Sequence, residues 1–314
     1  MNILVLSAGR RVELIQLLKK AIQDRNINGC IFAADANPLS AALFFSNQSV
    51  ILPKVTDKSF FDSLIDSLIK FDINLLLPTI DTELDFLSIH KKDIETKTKT
   101  RVVVSEIDVV RIFQNKTLAC NELNERGFSI PKTYARDNLL FPVFCKPVKG
   151  SSSIGSQLIT NQDELLVWER MYGELIVQEY LQGEEFTIDC LIDDKGIPLW
   201  IVPRIRIATR SGEILKGRVV KDIPLINLCR KLFETFRFFG PITVQVIRRH
   251  GIDYIIEINP RVGGGLPFSI YAGADILGTL IDMMLGLKPS YNESFEDGKT
   301  FLRYDQTVEY INHD

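Results

Sequence analysis

The stretch Tyr254-Ile255-Ile256-Glu257-Ile258-Asn259-Pro260-Arg261-Val262-Gly263-Gly264-Gly265 sets a carboxylate, a carboxamide and a guanidinium in close succession ahead of a glycine run. Side chains alternate along a β-strand, so Glu257 and Asn259 share one face while Ile256 and Ile258 take the other. Two oxygen donors on one face suit a hard cation such as Mg²⁺, which shares its coordination with substrate phosphates. Pro260 ends the ladder by removing a donor, Arg261 adds a fixed charge suited to phosphate or carboxylate, and the glycines let backbone approach a ligand. An ordinary polar strand end has the same composition, so the surrounding elements must decide.

Composition narrows the classes. The chain of 314 residues has 46% hydrophobic residues and a net charge of −3, with both signs interspersed, which favours a small ligand over nucleic acid or an anionic membrane. Its length is that of about two domains. Five cysteines (Cys30, Cys120, Cys145, Cys190, Cys229) lie far apart with no CxxC pair, and three histidines (His90, His250, His313) form no zinc spacing. The opening MNILVLSAGRR turns polar too soon for a signal peptide, and no apolar run has membrane-spanning length. A cytoplasmic location is expected.

The first hundred residues alternate strand and helix: Asn2 to Leu6, a helical pattern from Val12 to Ile22, Cys30 to Ala34, a helix from Phe60 to Lys70, Ile73 to Leu77, and Arg101 to Val104. This predicts a parallel doubly wound sheet with ligands at its carboxyl edge, where Ser7 to Arg11, Asp35 to Asn37, and Thr79 to Glu83 fall. A dinucleotide site with Asp35 on a ribose is disfavoured, because the first turn has one glycine where GxGxxG is needed.

Asp108 to Gly127 reads as a helix with Lys116 near its middle. Strands and turns follow. Phe141 to Val148 is a strand bearing Lys146, and Lys149-Gly150-Ser151-Ser152-Ser153-Ile154-Gly155-Ser156 nearly matches GxxxxGK[ST], with Ser156 where lysine belongs and a strand where a helix should follow. Such a hairpin can cradle phosphates through N–H groups and hydroxyls beside Lys146, or simply be solvated. A helix from Gln162 to Met171 leads to the strand Glu174 to Leu181, the turn Gln182 to Glu185, and the strand Phe186 to Ile192; Gln178 and Glu185 offer groups that an adenine and a ribose require. Residues 204 to 221 hold Arg204, Arg206, Arg210, Lys216, Arg218 and Lys221 against Glu213 alone, a basic loop suited to an anion. A helix from Ile223 to Phe236 precedes the strand Ile242 to Ile247. If the turn at Arg248 to Gly251 has an odd number of residues, Gln245 joins the face of Glu257 and Asn259.

A lysine after an α/β domain, a second lysine before a serine- and glycine-rich loop, a Gln-Glu-x-Leu hinge and Glu-x-Asn-Pro-Arg occur here in order. In that order the chain resembles the ATP-grasp superfamily, and in particular a synthetase half of the carbamoyl phosphate synthase large chain. The resemblance implies an α/β fold with a doubly wound pre-ATP-grasp domain over residues 1–110. A two-lobed α+β ATP-grasp domain would follow over 111–314, with its lid near 128–180 and its metal and phosphate lobe near 181–314.

Carried onto these residues, the resemblance assigns ATP phosphates to Lys116, Lys146 and the loop with Ser151, Ser152 and Ser153. It assigns adenine to Gln178 and the backbone of Glu179 and Leu181, and the ribose to Glu185. Mg²⁺, or Mn²⁺ in its place, falls to Gln245, Glu257 and Asn259; many ligases of the superfamily have aspartate where Gln245 stands. Arg261, Lys146 and Arg218 are the catalytic candidates. Arg10, Asp81, Glu83, Arg218 and Gly264 are the substrate candidates, the arginines for an anionic group and the two acids for an amino group.

The expected function is an ATP-dependent carboxylate–amine or carboxylate–thiol ligase acting through an acyl phosphate, releasing ADP and phosphate. A nucleotide-binding module without turnover and a kinase releasing its acyl phosphate are the alternatives. Small-molecule carboxylate and amine substrates are the expected partners, without nucleic acid or membrane, and a homodimer is an admissible assembly.

Overall fold

The computed structural model describes residues 1–150 and 154–310. The short apolar runs Ile3–Val5 and Leu75–Leu77 become fully buried strands. β1 (Ile3–Val5), β2 (Ile31–Asp35), β3 (Gln48–Ile51), β4 (Leu75–Leu77) and β5 (Arg101–Val102) form a parallel sheet in the order β3-β2-β1-β4-β5. Helices α1 (Val12–Asp24), α2 (Ala41–Phe45), α3 (Phe60–Lys70) and α4 (Leu84–Thr98) connect them. On α1 the apolar stripe Leu14, Leu17, Leu18, Ala21 and Ile22 is buried, as its helical spacing requires. The strand order reverses between β1 and β4, so the loops after those two strands flank the crevice where such sheets bind ligands.

The predicted helix over Asp108 to Gly127 is two helices, α5 (Ile107–Gln114) and α6 (Lys116–Glu125). Asn115 breaks it: its backbone is extended and its side chain accepts from the Leu118 N–H at 3.0 Å, capping α6. Lys116 therefore begins a helix rather than lying within one. A three-stranded antiparallel sheet follows, with β6 (Val143–Pro147) between β7 (Gln157–Ile159) and β8 (Leu175–Glu179), covered by α7 (Gln162–Tyr172).

The third sheet is antiparallel, in the order β13-β12-β9-β10-β11-β14. Its strands are β9 (Glu184–Ile192), β10 (Pro198–Arg210), β11 (Glu213–Val219), β12 (Gly240–Arg249), β13 (Ile252–Asn259) and β14 (Thr300–Leu302), with α8 (Ile223–Thr235) between β11 and β12. Helices α9 (Leu266–Tyr271) and α10 (Ile276–Met284) follow β13. The basic block, expected as a loop, is the β10–β11 hairpin turning at Ser211 and Gly212, both with positive φ.

On β9, Phe186, Ile188, Cys190 and Ile192 alternate into a core shared with α8, while Leu191 points into a second core shared with the parallel sheet, α1 and α10. Arg25, at the C-cap of α1, reinforces that shared core through ion pairs of 2.6 Å to Asp275 and 2.7 Å to Asp282. The three-stranded sheet has its own small cluster of Val143, Cys145, Ile159, Leu165, Leu175 and Val177.

Candidate functional site

The β12–β13 turn contains two residues, His250 (φ 50°) and Gly251 (φ 78°), between the paired Arg249 and Ile252. That is the mirror-image turn favoured in tight hairpins, not the odd-numbered turn that would have put Gln245 on the Glu257 face. Parity changes farther along: Val246 pairs with Ile255 but Gln245 with Glu257, so Ile256 has no opposite number. This β-bulge, rather than the turn, brings Gln245 across from Glu257 and Thr243 across from Asn259. It also corrects the expected alternation, since Ile255 and Ile258 enter the core while Ile256 is only half-buried.

Lys146 on β6 is 9% exposed, and its Nζ donates to the Ile256 carbonyl at 3.1 Å. The bulge thus supplies the acceptor that ties the three-stranded sheet to the six-stranded one beside Glu257. Burial lowers the Lys146 pKa, the Glu257 charge opposes that shift, and Lys116 adds to it. Lys116 Nζ donates to the Gly150 carbonyl at 2.7 Å. Ser151, Ser152 and Ser153 lie outside the described residues.

Gln178 is 2% exposed, and its Nε2 donates to Cys120 Sγ at 3.3 Å and to the Pro131 carbonyl at 3.4 Å. Of the Glu179 backbone, expected to face a base, the N–H donates to the Lys132 carbonyl at 2.8 Å, and the Glu179 side chain accepts the Lys132 N–H at 2.8 Å. Leu181 is buried just beyond β8. Glu185 lies on β9 beside Arg206 of the neighbouring β10, 3.5 Å from its Nε.

One face of the six-stranded sheet lines a cleft with Thr187, Arg204, Arg206, Thr243, Gln245, Glu257 and Asn259, closed by Arg11, Arg261, Glu213 and the glycine run. Glu257 offers a carboxylate and Gln245 and Asn259 two carboxamide oxygens, a set that fits a hard cation completed by phosphate oxygens and water. Among the described residues, no group of three or more His, Cys, Asp or Glu forms a competing metal cluster.

The substrate candidates divide. Asp81, expected to hold an amino group, is paired with Arg261 at 2.8 Å. Arg10 is exposed and pairs with Glu213 at 3.1 Å. The Gly264 carbonyl accepts from Arg303 at 2.6 Å. Arg218 lies away from the cleft: it is exposed, bonds Thr300 Oγ1 at 3.1 Å, and pairs with Ile205, which packs towards the α8 core on the face opposite Arg204 and Arg206.

Residues missed in the sequence include Asp189, whose buried pair with Arg204 measures 2.9 Å and which also accepts from Ser269 Oγ at 2.6 Å. A Cβ on Gly265 would come within 2.3 Å of the Arg204 guanidinium, and one on Gly263 within 2.5 Å of Thr243 Oγ1. These two glycines thus make room for protein side chains. The spacing of Arg204 and Arg206 was the available signal, since positions two apart on a strand share a face.

Glu83 is buried beside Ser7, whose hydroxyl donates to it, at the crevice between β1 and β4. Burial lifts its pKa to about 7; Asp35 adds to the rise, whereas the Ser7 hydrogen bond and Arg11 oppose it. Between the ordinary value of 4.5 and about 7 the folded protein holds a proton that the unfolded chain has released, so stability falls as pH rises through this window. Glu83→Gln should remove that part of the pH dependence in urea unfolding; an unchanged slope would count against the assignment.

Residues 172–307 match the family model described as "ATP-grasp in the biosynthetic pathway with Ter operon", and residues 3–103 match "PylC-like, N-terminal domain". The chain carries an ATP-grasp domain behind a PylC-like N-terminal domain. It is similar to the carbamoyl phosphate synthase large chain of Clostridium botulinum (strain Alaska E43 / Type E3), with 25% identity over 170 residues, covering 48% of this chain and 16% of that protein. The D-alanine–D-alanine ligase of Francisella tularensis subsp. novicida (strain U112) is 27% identical over 150 residues, covering 43% of this chain and 50% of the ligase. The chain thus spans at most half the length of these two relatives. The fold also aligns with a biotin carboxylase–β-γ-ATP complex from Campylobacter jejuni at a TM-score of 0.71 and 14% identity, covering 95% of this chain and 74% of that one. The cleft lies within this ATP-grasp fold, and no helix among the described residues is long and apolar enough to cross a membrane.

Proposed function

We propose that the chain is an ATP-dependent carboxylate–amine ligase that forms an acyl phosphate on a small, amino-acid-like acid. The observation that carries this reading is the Lys146–Ile256 bond, which brings a buried cation beside the Glu257, Asn259 and Gln245 face. Similarity to a D-alanine–D-alanine ligase supports the reaction class.

Lys116, whose Nζ donates to the Gly150 carbonyl, and Lys146 would hold the ATP phosphates. Gln178 uses Nε2 for its two protein bonds, and its carbonyl oxygen would accept from the adenine amino group. With the Glu179 N–H engaged, the adjoining backbone up to Leu181 would meet the ring, and Glu185 would accept from the ribose hydroxyls. Glu257, Asn259 and Gln245 would hold Mg²⁺, which when bound neutralises charge on the phosphate oxygens.

A carboxylate oxygen of the acid attacks the γ-phosphorus and ADP leaves. An amine nitrogen then attacks the acyl carbon, phosphate leaves, and the nitrogen gives up a proton. Arg261, steered by Asp81, and Lys146 stabilise charge on the transferring group, so catalysis is positioning and electrostatics without a covalent enzyme intermediate.

ADP release with Mg-ATP against panels of carboxylic acids, with and without amines, tests the reading. Release that needs both acid and amine supports it. Release with acid alone makes the protein a kinase, and nucleotide binding without turnover for any acid defeats the ligase assignment. The lowered Lys146 pKa adds an expectation: ATP affinity should fall on the alkaline side earlier than an ordinary lysine would cause, because the cation is lost as pH rises through its folded-state value. Lys146→Arg should remove that limb in binding titrations; a limb that persists would assign it to another group.

A further inference from the structure

Three buried side-chain atoms of the described residues have no hydrogen-bond partner: Glu83 Oε2, Thr187 Oγ1 and Arg206 Nε. The latter two are donors, and their residues line the same cleft. Thr187 on β9 pairs with Gln245 on one side and Arg204 on the other, and Arg206 is the next residue of β10 on that face. A buried donor left unmade costs about 1–3 kcal/mol, so two in one cleft point to a ligand that supplies acceptors.

The charges around them are unequally compensated. Arg204 is neutralised by Asp189 at 2.9 Å and Arg261 by Asp81 at 2.8 Å. Arg206 donates from Nη2 to the neutral Gly212 carbonyl at 3.1 Å, and its one ion pair is with Glu185, at 3.5 Å and with half of that side chain exposed, so its Nε stays without a hydrogen bond. Arg11, from the loop after β1, lines the cleft as well and spends its hydrogen bond on the neutral Thr79 carbonyl at 2.7 Å. Cationic donors therefore remain from both sides of the cleft.

We propose that Arg206 and Thr187, joined by Arg11, form a subsite for a second anionic group of the substrate, a carboxylate or phosphate separate from the carboxylate that is activated. This rests on the ligase reading. Thr187 is two strands from Glu257, about 10 Å at the backbone, which suits an acid whose two anionic ends are several bonds apart.

Calorimetric titration of the full chain, with a non-hydrolysable Mg-ATP analogue present, tests this with acetate, butyrate, succinate, glutarate, adipate and inorganic phosphate as probes. One or more dicarboxylates should bind more tightly than butyrate. Arg206→Gln and Thr187→Val should each weaken that binding about tenfold or more, with the affinities for butyrate and the analogue unchanged. Thr187→Ser, which keeps the hydroxyl, should retain it and controls for folding. If phosphate binds instead and the same variants lose it, the anionic end is a phosphate; if no probe distinguishes wild type from the variants, the subsite is refuted. An equal loss of analogue affinity would reassign both residues to the nucleotide. Turnover is scored separately. Dianion binding lost in the variants with no ADP release in wild type keeps the subsite and defeats the ligase; release equally strong with monocarboxylates and dicarboxylates does the reverse.

Discussion

Glu257→Gln should abolish ADP release while nucleotide binding is weakened but retained. The substitution keeps the size and one oxygen of the side chain and removes its charge. Glu257 is the one carboxylate in the facing set, because Gln245 and Asn259 contribute neutral amides. A cation held there would lose its only charged protein ligand, and a loss of about 10²–10³ in turnover or more is expected from removing such stabilisation. Glu257 also opposes the burial of Lys146, so its replacement should lower the lysine pKa further and bring the alkaline fall in ATP binding to lower pH. Parallel ADP-release and binding titrations on the variant decide the matter. Turnover at the wild-type rate would remove Glu257 from the metal assignment.

The second large effect is on stability. Asp189→Ala should cost about 3–5 kcal/mol, because Arg204 would remain buried without its counter-charge. The pair is nearly inaccessible, at 3% and 1% exposure, and Asp189 also holds Ser269 on α9. Pairing Asp189→Leu with Arg204→Met, which replaces both charges with apolar groups, should recover much of the loss. Urea unfolding of the single and double variants reads this directly; a single variant as stable as the parent would show that the pair contributes little. The effect should spread to the glycine run, since Gly265 leaves room only for the Arg204 guanidinium in its present position.

Much of this molecule is legible in its sequence because apolar strands and amphipathic helices announce themselves by period. The parallel sheet was expected as an alternating pattern, and β1, β2 and β4 bury the residues that pattern named. β3 escaped, having one buried residue in Gln48–Ile51 and thus little apolar signal. Gln245 was expected on the Glu257 face for the wrong reason: a bulge leaves no compositional mark, and Ile256 looks like any strand isoleucine. Arg218 was misplaced because a dense run of charge resembles a solvated loop, and only the β10–β11 pairing reveals which arginines share a face. The Arg261–Asp81 pair joins residues far apart in the chain, and the Arg204–Asp189 pair depends on the register of β9 against β10, which no local pattern announces.

The division of the apolar core bears on how the molecule yields. The parallel and six-stranded sheets share one buried cluster and are clasped by Arg25, whereas the three-stranded sheet rests on six buried residues that belong to no other cluster. Loosening that smaller unit exposes little apolar surface, so its amides should exchange with solvent through partial openings far below the free energy of global unfolding. Lys146 is carried on β6 of that unit, so the cation proposed to hold phosphate sits on the part of the site expected to open first, while its Nζ reaches across to the Ile256 carbonyl of the larger sheet.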